Sequence, residues 1–595
     1  MFSYVTLVWD DLDAEQREAA ADACRKIQHS SRDLVQLHRS AGLAVYGTPS
    51  SQNGRIRTYL AAAGNGVIFG NLFARGAGGS IEVSDYETLT SKYFGRYVAV
   101  FKDAGTKRVR ICRDPTGGVH CYQLQHRKLQ VFVRRLNDFT KYFGGSFSVN
   151  WHYLKGQLVY SSLQLKETAL NEVTEVQPGE CLTFERASTT SSFFWNPLSI
   201  SQDRIEDLNS AVEQLREATQ CCVSAWASCH ESIVHMLSGG LDSSIVMSCL
   251  NRLANAPKVT CLNYFSKGAD TDERSYARLV ATAFDCELVE QERQFFGSLR
   301  NLLKIPKSPY PYSYLGYLID GRNRAKLAQE HGATAIFSGH GGDALFYAGK
   351  EALAVADYLH AHPFNPRAFG IAWDVAPLEG DSVWRLLADS MKQVWFGQAW
   401  KLQREAGLYN FLLSKALAEE VKADDTLIHP LFRDMGSVPS GKRFQAHSVT
   451  YMMTPRYDPF ERSDDPDEVS PLLSQPLVEV CLRIPTYVLT NNGRDRDVAR
   501  RAFAQRLPRE IVTRRSKGGM EEDIKRNVNS NLDLIRELML DGQLVRQGFL
   551  DRALLEKALV AGLTASRSFP LEIYDYLYTE AWLQNWPEAM RADAA

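Results

Sequence analysis

This sequence of 595 residues lacks the features that would indicate a nucleic-acid-binding, zinc-binding, secreted or membrane protein. Its 68 basic and 70 acidic side chains nearly cancel, so no overall positive charge favours a nucleic-acid partner. The 11 cysteines include no C-x-x-C pair, which argues against a zinc site and for a reduced compartment. No run of about 18 apolar residues occurs, and the amino terminus lacks the basic stretch of a signal peptide. We therefore expect a cytoplasmic protein that binds neither nucleic acid nor a membrane.

The residue pattern predicts two domains. The first ~200 residues hold short runs of β-forming residues, such as YVTLVW and GRYVAVF, separated by turn residues. From about Asp207 amphipathic helical stretches alternate with short apolar runs, which is typical of βαβ units around a parallel sheet. Beyond Glu351 the pattern is mainly helical. We predict an α/β protein with a β-rich domain over residues 1–205 and a doubly wound parallel-sheet domain, ending in a helical part, over 206–595.

A glycine loop follows the apolar strand predicted at Ile233 to Leu237. It reads SGGLDSS and leads into a helix-forming run. Its glycines let backbone N–H groups approach an anion, and hydroxyls and a helix N-terminus add donors, so the loop suits a pyrophosphate. A carboxylate in such a cradle is repelled unless a divalent cation lies between it and the phosphates, so Asp242 indicates Mg²⁺. The predicted nucleotide-binding residues are Leu237, Ser238, Gly239, Gly240, Asp242, Ser243 and Ser244.

The SGGLDSS loop has a structural alternative, and a second type of phosphate loop is missing from the sequence. An ordinary Gly-Ser turn could cap a βα unit, but the seven residues together favour the nucleotide site. The other common phosphate loop, G-x-x-x-x-G-K-[ST], is absent, because Gly349-Lys350 and Gly441-Lys442 are not followed by a hydroxyl residue. Kinase or GTPase chemistry therefore lacks its main support.

A second glycine loop follows the apolar run from Ala333 to Phe337. It reads SGHGGD, and because ligands bind at the carboxyl ends of parallel strands, both loops are expected to face one nucleotide. Asp343 would then share Mg²⁺ with Asp242 as the second metal ligand. The predicted nucleotide-binding residues of this loop are Ser338, Gly339, Gly341, Gly342 and Asp343.

The two loops resemble the signature of the asparagine synthetase superfamily, S-G-G-x-D-S-S followed by S-G-x-G-x-D. The stretches RDPTGG (113–118) and PGE (178–180) are similar to the glutaminase-type, Ntn-type domain of those enzymes, and RSKGG (515–519) to their carboxyl-terminal part. The resemblance implies an ATP-pyrophosphatase-type ligase that adenylates a carboxylate with ATP and Mg²⁺ and passes the acyl group to an amine. It also implies that Lys517 contacts the reacting region and stabilises developing negative charge. The alternative for Lys517 is a solvated lysine in a basic run.

His340 occupies a variable position in the second loop. An imidazole can take a proton from an attacking amine at neutral pH, so His340 is a candidate catalytic base. The equal alternative is a histidine that only lines the nucleotide pocket. Asparagine synthetases usually follow the loop aspartate with glutamate, whereas this chain has Ala344, which disfavours an asparagine-type substrate.

The first domain departs from the glutaminase pattern. A glutaminase of this kind needs a cysteine directly after the initiator Met, with a thiolate nucleophile and a free α-amine. This sequence starts Met1-Phe2-Ser3, and its nearest cysteine is Cys24. We therefore expect a degenerate glutaminase-like domain without glutamine hydrolysis.

Two branches of the superfamily lack that cysteine and close a ring within one substrate: β-lactam synthetases and lasso peptide cyclases. The stretches GVIFG (66–70), PLLSQP (471–476) and CLRIP (481–485) are more similar to lasso peptide cyclases. This resemblance implies a ribosomal precursor peptide whose Asp or Glu side chain is adenylated and joined to the peptide's N-terminal amine. It also implies a leader peptidase and a leader-recognition partner. An ammonia-dependent or β-lactam-type ligase of small molecules, and an inactive docking protein, are the alternatives.

Overall fold

The strands of the first part of the chain form two antiparallel sheets. They are β1 (Tyr4–Val8), β2 (Val35–Ser40), β3 (Leu43–Gly47), β4 (Arg57–Leu60), β5 (Gly66–Ala74), β6 (Tyr93–Lys102), β7 (Val109–Arg113), β8 (Tyr122–His126), β9 (Leu129–Val133), β10 (Thr174–Glu175), β11 (Glu180–Glu185) and β12 (Ser188–Phe193). One six-stranded sheet has the order β10-β8-β9-β1-β3-β2 and the other β12-β11-β7-β6-β5-β4. Side chains of both sheets, among them Tyr4, Phe69 and Phe132, share one buried core. The predicted β-rich character of this part is confirmed.

The computed structural model of the protein describes most of the chain. The described residues are 2–30, 33–49, 56–76, 81–103, 105–186, 188–266, 272–293, 299–304, 307–311, 321–397, 401, 411–433, 436–453, 465–515, 518, 521–560 and 569–586. Within them, no helix is both long and apolar enough to cross a membrane.

A five-stranded parallel sheet forms the centre of the second part. Its strands are β13 (Ser232–Met236), β14 (Lys258–Phe265), β15 (Glu287–Glu292), β16 (Ala335–Phe337) and β17 (Asp467–Val469), in the order β15-β14-β13-β16-β17. Successive residues of β13 pack on opposite sides, Ile233 in one core and Val234 in another, so both faces of the sheet are covered. The strand order reverses direction at β13, which is where an open parallel sheet binds ligands.

Helices surround both parts. Those of the first part are α1 (Ala14–Ser30), α2 (Tyr86–Lys92), α3 (Leu136–Phe143), α4 (Trp151–Val159) and α5 (Pro197–Ile200). The parallel sheet is accompanied by α6 (Leu208–Ala227), α7 (Leu241–Leu250), α8 (Arg274–Ala283), α9 (Arg322–Glu330) and α10 (Gly342–Phe346). Helix α6 illustrates a regular helix start, because the side chain of Asp207 accepts a hydrogen bond from the backbone N–H of Ser210 in the first turn.

The chain beyond residue 351 is mainly helical, as predicted. The helices are α11 (Leu353–Ala361), α12 (Arg367–Glu379), α13 (Val383–Trp395), α14 (Lys415–Lys422), α15 (Pro430–Arg433), α16 (Ser440–Met453), α17 (Gln475–Arg483), α18 (Thr486–Leu489), α19 (Asp497–Phe503), α20 (Arg509–Thr513), α21 (Glu521–Ser530), α22 (Leu532–Met539), α23 (Gln543–Arg546), α24 (Arg552–Val560) and α25 (Phe569–Gln584), with 3-10 turns at Leu299–Lys304, Asp425–Leu427 and Pro471–Leu473. The exception is β17, which was not predicted because its three residues, DEV, carry no apolar run.

The two parts of the chain share a hydrophobic core. Tyr153 and Leu170 of the β-rich part lie in the same buried cluster as Leu538, Tyr576 and Trp582 near the carboxyl end. Side chains of the first part therefore need partners from the second to be buried. The predicted boundary at residue 205 stays a prediction.

Candidate active site

The first glycine loop connects β13 to the start of α7. Gly239 has a φ of +74°, and a Cβ there would lie 2.6 Å from the backbone nitrogen of Ala277, so the turn requires glycine. The hydroxyls fix the loop from within: Ser238 Oγ accepts from Gly240 N at 3.2 Å and lies 3.2 Å from Ser243 Oγ. Ser244 Oγ donates to Gly240 O at 2.7 Å. The loop is therefore held in shape by its own side chains.

A buried histidine supports this loop from below. His235 lies in β13, is fully buried, and its Nε2 is 2.9 Å from the carbonyl oxygen of Ser243. Burial lowers the pKa of this imidazole to about 4, so it is neutral at physiological pH. His235 therefore acts as a neutral donor to the loop backbone.

The second glycine loop lies directly against the first. A Cβ at Gly339 would be 2.5 Å from Ser243 N, and one at Gly342 would be 2.4 Å from Asp242 Cγ. Only hydrogen atoms fit between the loops at these two points. Ser338 Oγ lies 3.3 Å from Ser470 Oγ, next to β17. The predicted glycines thus bring the two predicted loops together.

Both predicted metal ligands contact one guanidinium. Arg496 Nη1 lies 2.7 Å from Asp343 Oδ1 and 3.3 Å from Asp242 Oδ2, while its Nε bonds Asp495 at 2.7 Å. The side chains of Arg496 and Asp242 are 11% and 10% exposed, whereas that of Asp343 is 44% exposed. Burial opposes the charge of Arg496, but the surrounding carboxylates raise the pKa of its guanidinium. The site therefore contains a shielded, charged cluster that opens to solvent at Asp343.

The segment that carries Arg496 is held in a fixed conformation. Arg496 has a φ of 53°, in the left-handed region that costs a non-glycine residue roughly 1–2 kcal/mol. Gly493, with a φ of +64°, lies close enough to α12 that a Cβ would be 2.9 Å from Asp374 O. Arg494 Nη2 donates to Val512 O at 3.0 Å, which ties the segment to α20. This unusual backbone places the guanidinium between the two loops.

A second arginine fixes the stretch that leads to Lys517. Arg514 donates to Gly239 O at 3.2 Å, pairs with Glu273 at 2.5 Å and stacks 3.8 Å over the ring of Tyr276. Gly518 N also donates to Glu273, at 3.0 Å. Residues on either side of Lys517 are thus anchored beside the first loop. Lys517 itself lies outside the described residues, and its catalytic role stays a prediction.

The remaining predicted residues lie at the same strand ends. His340 is in the second loop, where its backbone N–H donates to Ser338 Oγ at 3.4 Å. The role of its imidazole as a base stays a prediction. Leu237 is fully buried, and its carbonyl accepts from Asn263 Nδ2 at 2.7 Å, so its side chain belongs to the core. The nucleotide-binding role assigned to both loops is likewise still a prediction.

The pair of aspartates fits a nucleotide-bound magnesium ion. No group of three or more His, Cys, Asp or Glu side chains that could hold a metal occurs within the described ranges. Mg²⁺ in nucleotide sites commonly takes one or two carboxylates and completes its shell with phosphate oxygens and water. Asp242 and Asp343, held against one cationic nitrogen, offer that number of oxygen ligands. The residues therefore suit Mg²⁺ that arrives with a nucleotide.

Three residues of the site were not identified from the sequence: His235, Arg496 and Arg514. A histidine in an apolar strand and arginines in charged stretches are usually structural, so no local signal distinguishes them. The glycine-containing turn NNG before Arg494 is the one hint that the chain approaches another segment closely there.

Comparison with known proteins identifies a family. A family model described as "Asparagine synthase" matches residues 214–584. No curated protein matches the sequence. Among solved structures, glutamine phosphoribosylpyrophosphate amidotransferase from B. subtilis, complexed with ADP and GMP, is 10% identical over 57% of this chain and 82% of its own, with a TM-score of 0.20. A structure described as the allosteric regulatory enzyme of purine biosynthesis is 10% identical over 56% of this chain and 89% of its own, also with a TM-score of 0.20. Such low TM-scores carry no argument about fold or function.

Proposed function

The chain belongs to the asparagine synthase family, which indicates ATP-dependent amide ligation, and on this premise we propose that it closes a macrolactam ring in a ribosomal precursor peptide. A side-chain carboxylate of Asp or Glu in the peptide attacks the α-phosphorus of ATP and displaces pyrophosphate. The peptide's N-terminal amine then attacks the acyl carbon, AMP leaves, and the amine loses a proton. The product is an isopeptide-bonded ring with one water less than the linear peptide.

The contact between the two glycine loops is the observation that carries the nucleotide chemistry. It brings Asp242 and Asp343 to the same guanidinium nitrogen, at 3.3 and 2.7 Å, beside the N-terminus of α7. The backbone N–H groups of that helix end and of the first loop suit the phosphates of ATP. Asp242 and Asp343 are the residues that would hold Mg²⁺, and the metal would neutralise charge on those phosphates.

The state of the cysteines in the first part supports a substrate-derived amine. Cys24, Cys112, Cys121 and Cys181 are all buried. Burial raises the pKa of the Cys121 thiol to about 12, and a protonated buried thiol is a poor nucleophile. Hydrolysis of glutamine by a thiolate of this part is therefore disfavoured. We propose that this domain serves the fold, through the core that it shares with the carboxyl-terminal helices.

The choice of a peptide substrate rests on the resemblance to lasso peptide cyclases in residues 66–70, 471–476 and 481–485. In the structure, the last two stretches form α17 and the turn that precedes it, Pro471–Leu473. Leu473 lies against Gly341, where a Cβ would be 2.3 Å from its Cδ2. Leu473 of the stretch 471–476 thus packs against the second glycine loop. Ring closure within a bound peptide would also gain from proximity, since the amine and the acyl-adenylate are held in one molecule.

The experiment is pyrophosphate release from Mg-ATP by the purified protein with four alternative substrates. A linear precursor peptide with a free N-terminus is expected to give pyrophosphate and a ring. The same peptide with an acetylated N-terminus should still be adenylated but not cyclised, and one with Asn and Gln in place of Asp and Glu should give neither. Release only with free aspartate and ammonia would instead assign a small-molecule ligase. No release with any acceptor, with leader peptidase and leader-recognition partner present, would contradict the proposal.

A further inference from the structure

We propose that the Arg496 guanidinium competes with a divalent cation for the carboxylates of Asp242 and Asp343 and must leave them before the cation can bind, so that metal enters efficiently only with nucleotide. The inference rests on the proposed function, because it takes Asp242 and Asp343 as ligands of Mg²⁺. It assigns to this chain an internal cation that competes with the metal.

The first step of the argument is geometric. Arg496 Nη1 lies within hydrogen-bonding distance of carboxylate oxygens of both aspartates, at 2.7 Å from Asp343 and 3.3 Å from Asp242. A Mg²⁺ ion needs its oxygen ligands at about 2.0–2.1 Å. A metal between the same two carboxylates would therefore overlap the guanidinium. The two cations would also repel each other strongly in a region this shielded from water.

The second step concerns charge. Three carboxylates surround Arg496: those of Asp242, Asp343 and Asp495. Asp495 also pairs with Arg500 Nη2 at 2.9 Å, so it keeps a cationic partner if the guanidinium moves. Asp242 and Asp343 would instead lose the cation that joins them. A divalent metal restores that charge, which makes exchange of guanidinium for metal electrostatically balanced.

The third step is where the guanidinium can go. The backbone around Arg496 is fixed, because Gly493 packs closely against α12 and Arg494 donates a hydrogen bond to Val512 O. The guanidinium must therefore move by rotation of the Arg496 side chain and not by movement of the segment. An arginine beside a phosphate cradle can bind phosphate oxygens through two N–H groups at once. Bound nucleotide thus offers Arg496 an acceptor that replaces the aspartates. Metal binding and nucleotide binding are coupled through this one side chain.

The test is a Mn²⁺ titration of the protein without added nucleotide, in which electron paramagnetic resonance measures the concentration of free Mn²⁺. Arg496→Met removes the charge but keeps an unbranched side chain, and it is expected to bind Mn²⁺ about tenfold tighter or more than the unsubstituted protein. Arg496→Lys retains a cation and should stay close to the unsubstituted protein. Arg278→Met is the control, because Arg278 of α8 forms a bidentate pair with Glu290 of β15, at 2.6 and 2.7 Å.

Two further measurements complete the test. Adding Asp343→Asn to Arg496→Met should abolish the tighter binding, which locates the metal at these carboxylates. When Mn-ATP is the ligand, the order of affinities should reverse. Arg496→Met should then bind Mn-ATP several-fold more weakly than the unsubstituted protein, because the phosphates lose the guanidinium as a hydrogen-bond partner. Unchanged or weaker Mn²⁺ binding by folded Arg496→Met without nucleotide would overturn the inference. Pyrophosphate release is not needed for either titration, so a failure of the proposed ligase activity is recognised separately.

Discussion

Replacement of Gly339 by alanine tests whether contact between the two glycine loops is essential. The new Cβ would lie 2.5 Å from Ser243 N, 2.7 Å from the carbonyl carbon of Asp242 and 2.9 Å from Ser243 Cα. All three neighbours are backbone atoms of the first loop, so no side chain can rotate to make room. The φ of Gly339 is not in the left-handed region, so alanine brings no conformational strain of its own. The effect is purely steric.

The magnitude follows from that geometry. Relief of a 2.5 Å contact needs the loops to separate by roughly 1 Å, since ordinary carbon contacts begin near 3.5 Å. Overpacking of this kind costs about 1–3 kcal/mol of folding free energy. A displacement of about 1 Å between groups that act on one substrate lowers turnover by about 100-fold. We therefore expect a modest loss of stability and a large loss of activity.

The assay combines chemical denaturation with pyrophosphate release, and Gly370→Ala is its control. Gly370 lies inside α12, where an added Cβ meets nothing within 4 Å. Alanine there should stabilise the helix by about 0.5–1 kcal/mol and leave turnover unchanged. A Gly339→Ala protein that keeps full turnover and nucleotide affinity would refute the idea that the two loops form one site.

Further predictions concern the two predicted metal ligands and two buried groups. Asp242→Asn and Asp343→Asn should each abolish Mg-ATP-dependent pyrophosphate release, measured on protein with an unchanged circular dichroism spectrum; full activity of both would exclude them as metal ligands. The pKa of His235 is about 4 in the folded protein and 6.5 for a free side chain, so between pH 4 and pH 6.5 the unfolded chain binds more protons than the folded protein. As the pH drops from 6.5 to 4, His235 should therefore lower the free energy of unfolding by on the order of 3 kcal/mol. Chemical denaturation at both pH values measures this loss, and the His235→Asn protein should not show it. Arg113 donates to three backbone carbonyls and pairs at 2.9 Å with buried Glu175, whose pKa is lowered to about 2, against the effect of burial, by Arg113 and His120. Arg113→Met should therefore cost about 3–5 kcal/mol in denaturation, and a loss under 1 kcal/mol would contradict this role.

Local chemistry made the two glycine loops predictable. Glycines at 239, 339 and 342 are needed because backbone or carboxylate atoms lie within 3 Å of the added Cβ position, and such glycines stand out in a sequence. The parallel strands before them are apolar on both faces, which gives continuous hydrophobic runs. Asp242 and Asp343 were predicted as metal ligands because an acid is unusual in a loop that suits phosphate, and that role stays a prediction.

Tertiary packing decided what was not predictable. Arg496 reaches Asp242 across 254 positions of the chain, and no local pattern states which of several neighbouring arginines will do so. The three-residue strand β17 owes its place to pairing with β16, not to its own residues. The core shared by Tyr153 and Trp582 likewise joins segments whose local patterns are ordinary. Long-range contacts of this kind leave no signal in a single sequence.

The most direct test of the central claim uses a linear precursor peptide whose side-chain carboxylates carry ¹⁸O. If the enzyme adenylates that carboxylate before amide formation, one ¹⁸O atom must appear in AMP, and the cyclic product must be lighter by one water. Mass spectrometry of the nucleotide and the peptide from one reaction measures both. Label found in inorganic phosphate, or a cyclic peptide with unlabelled AMP, would contradict the account.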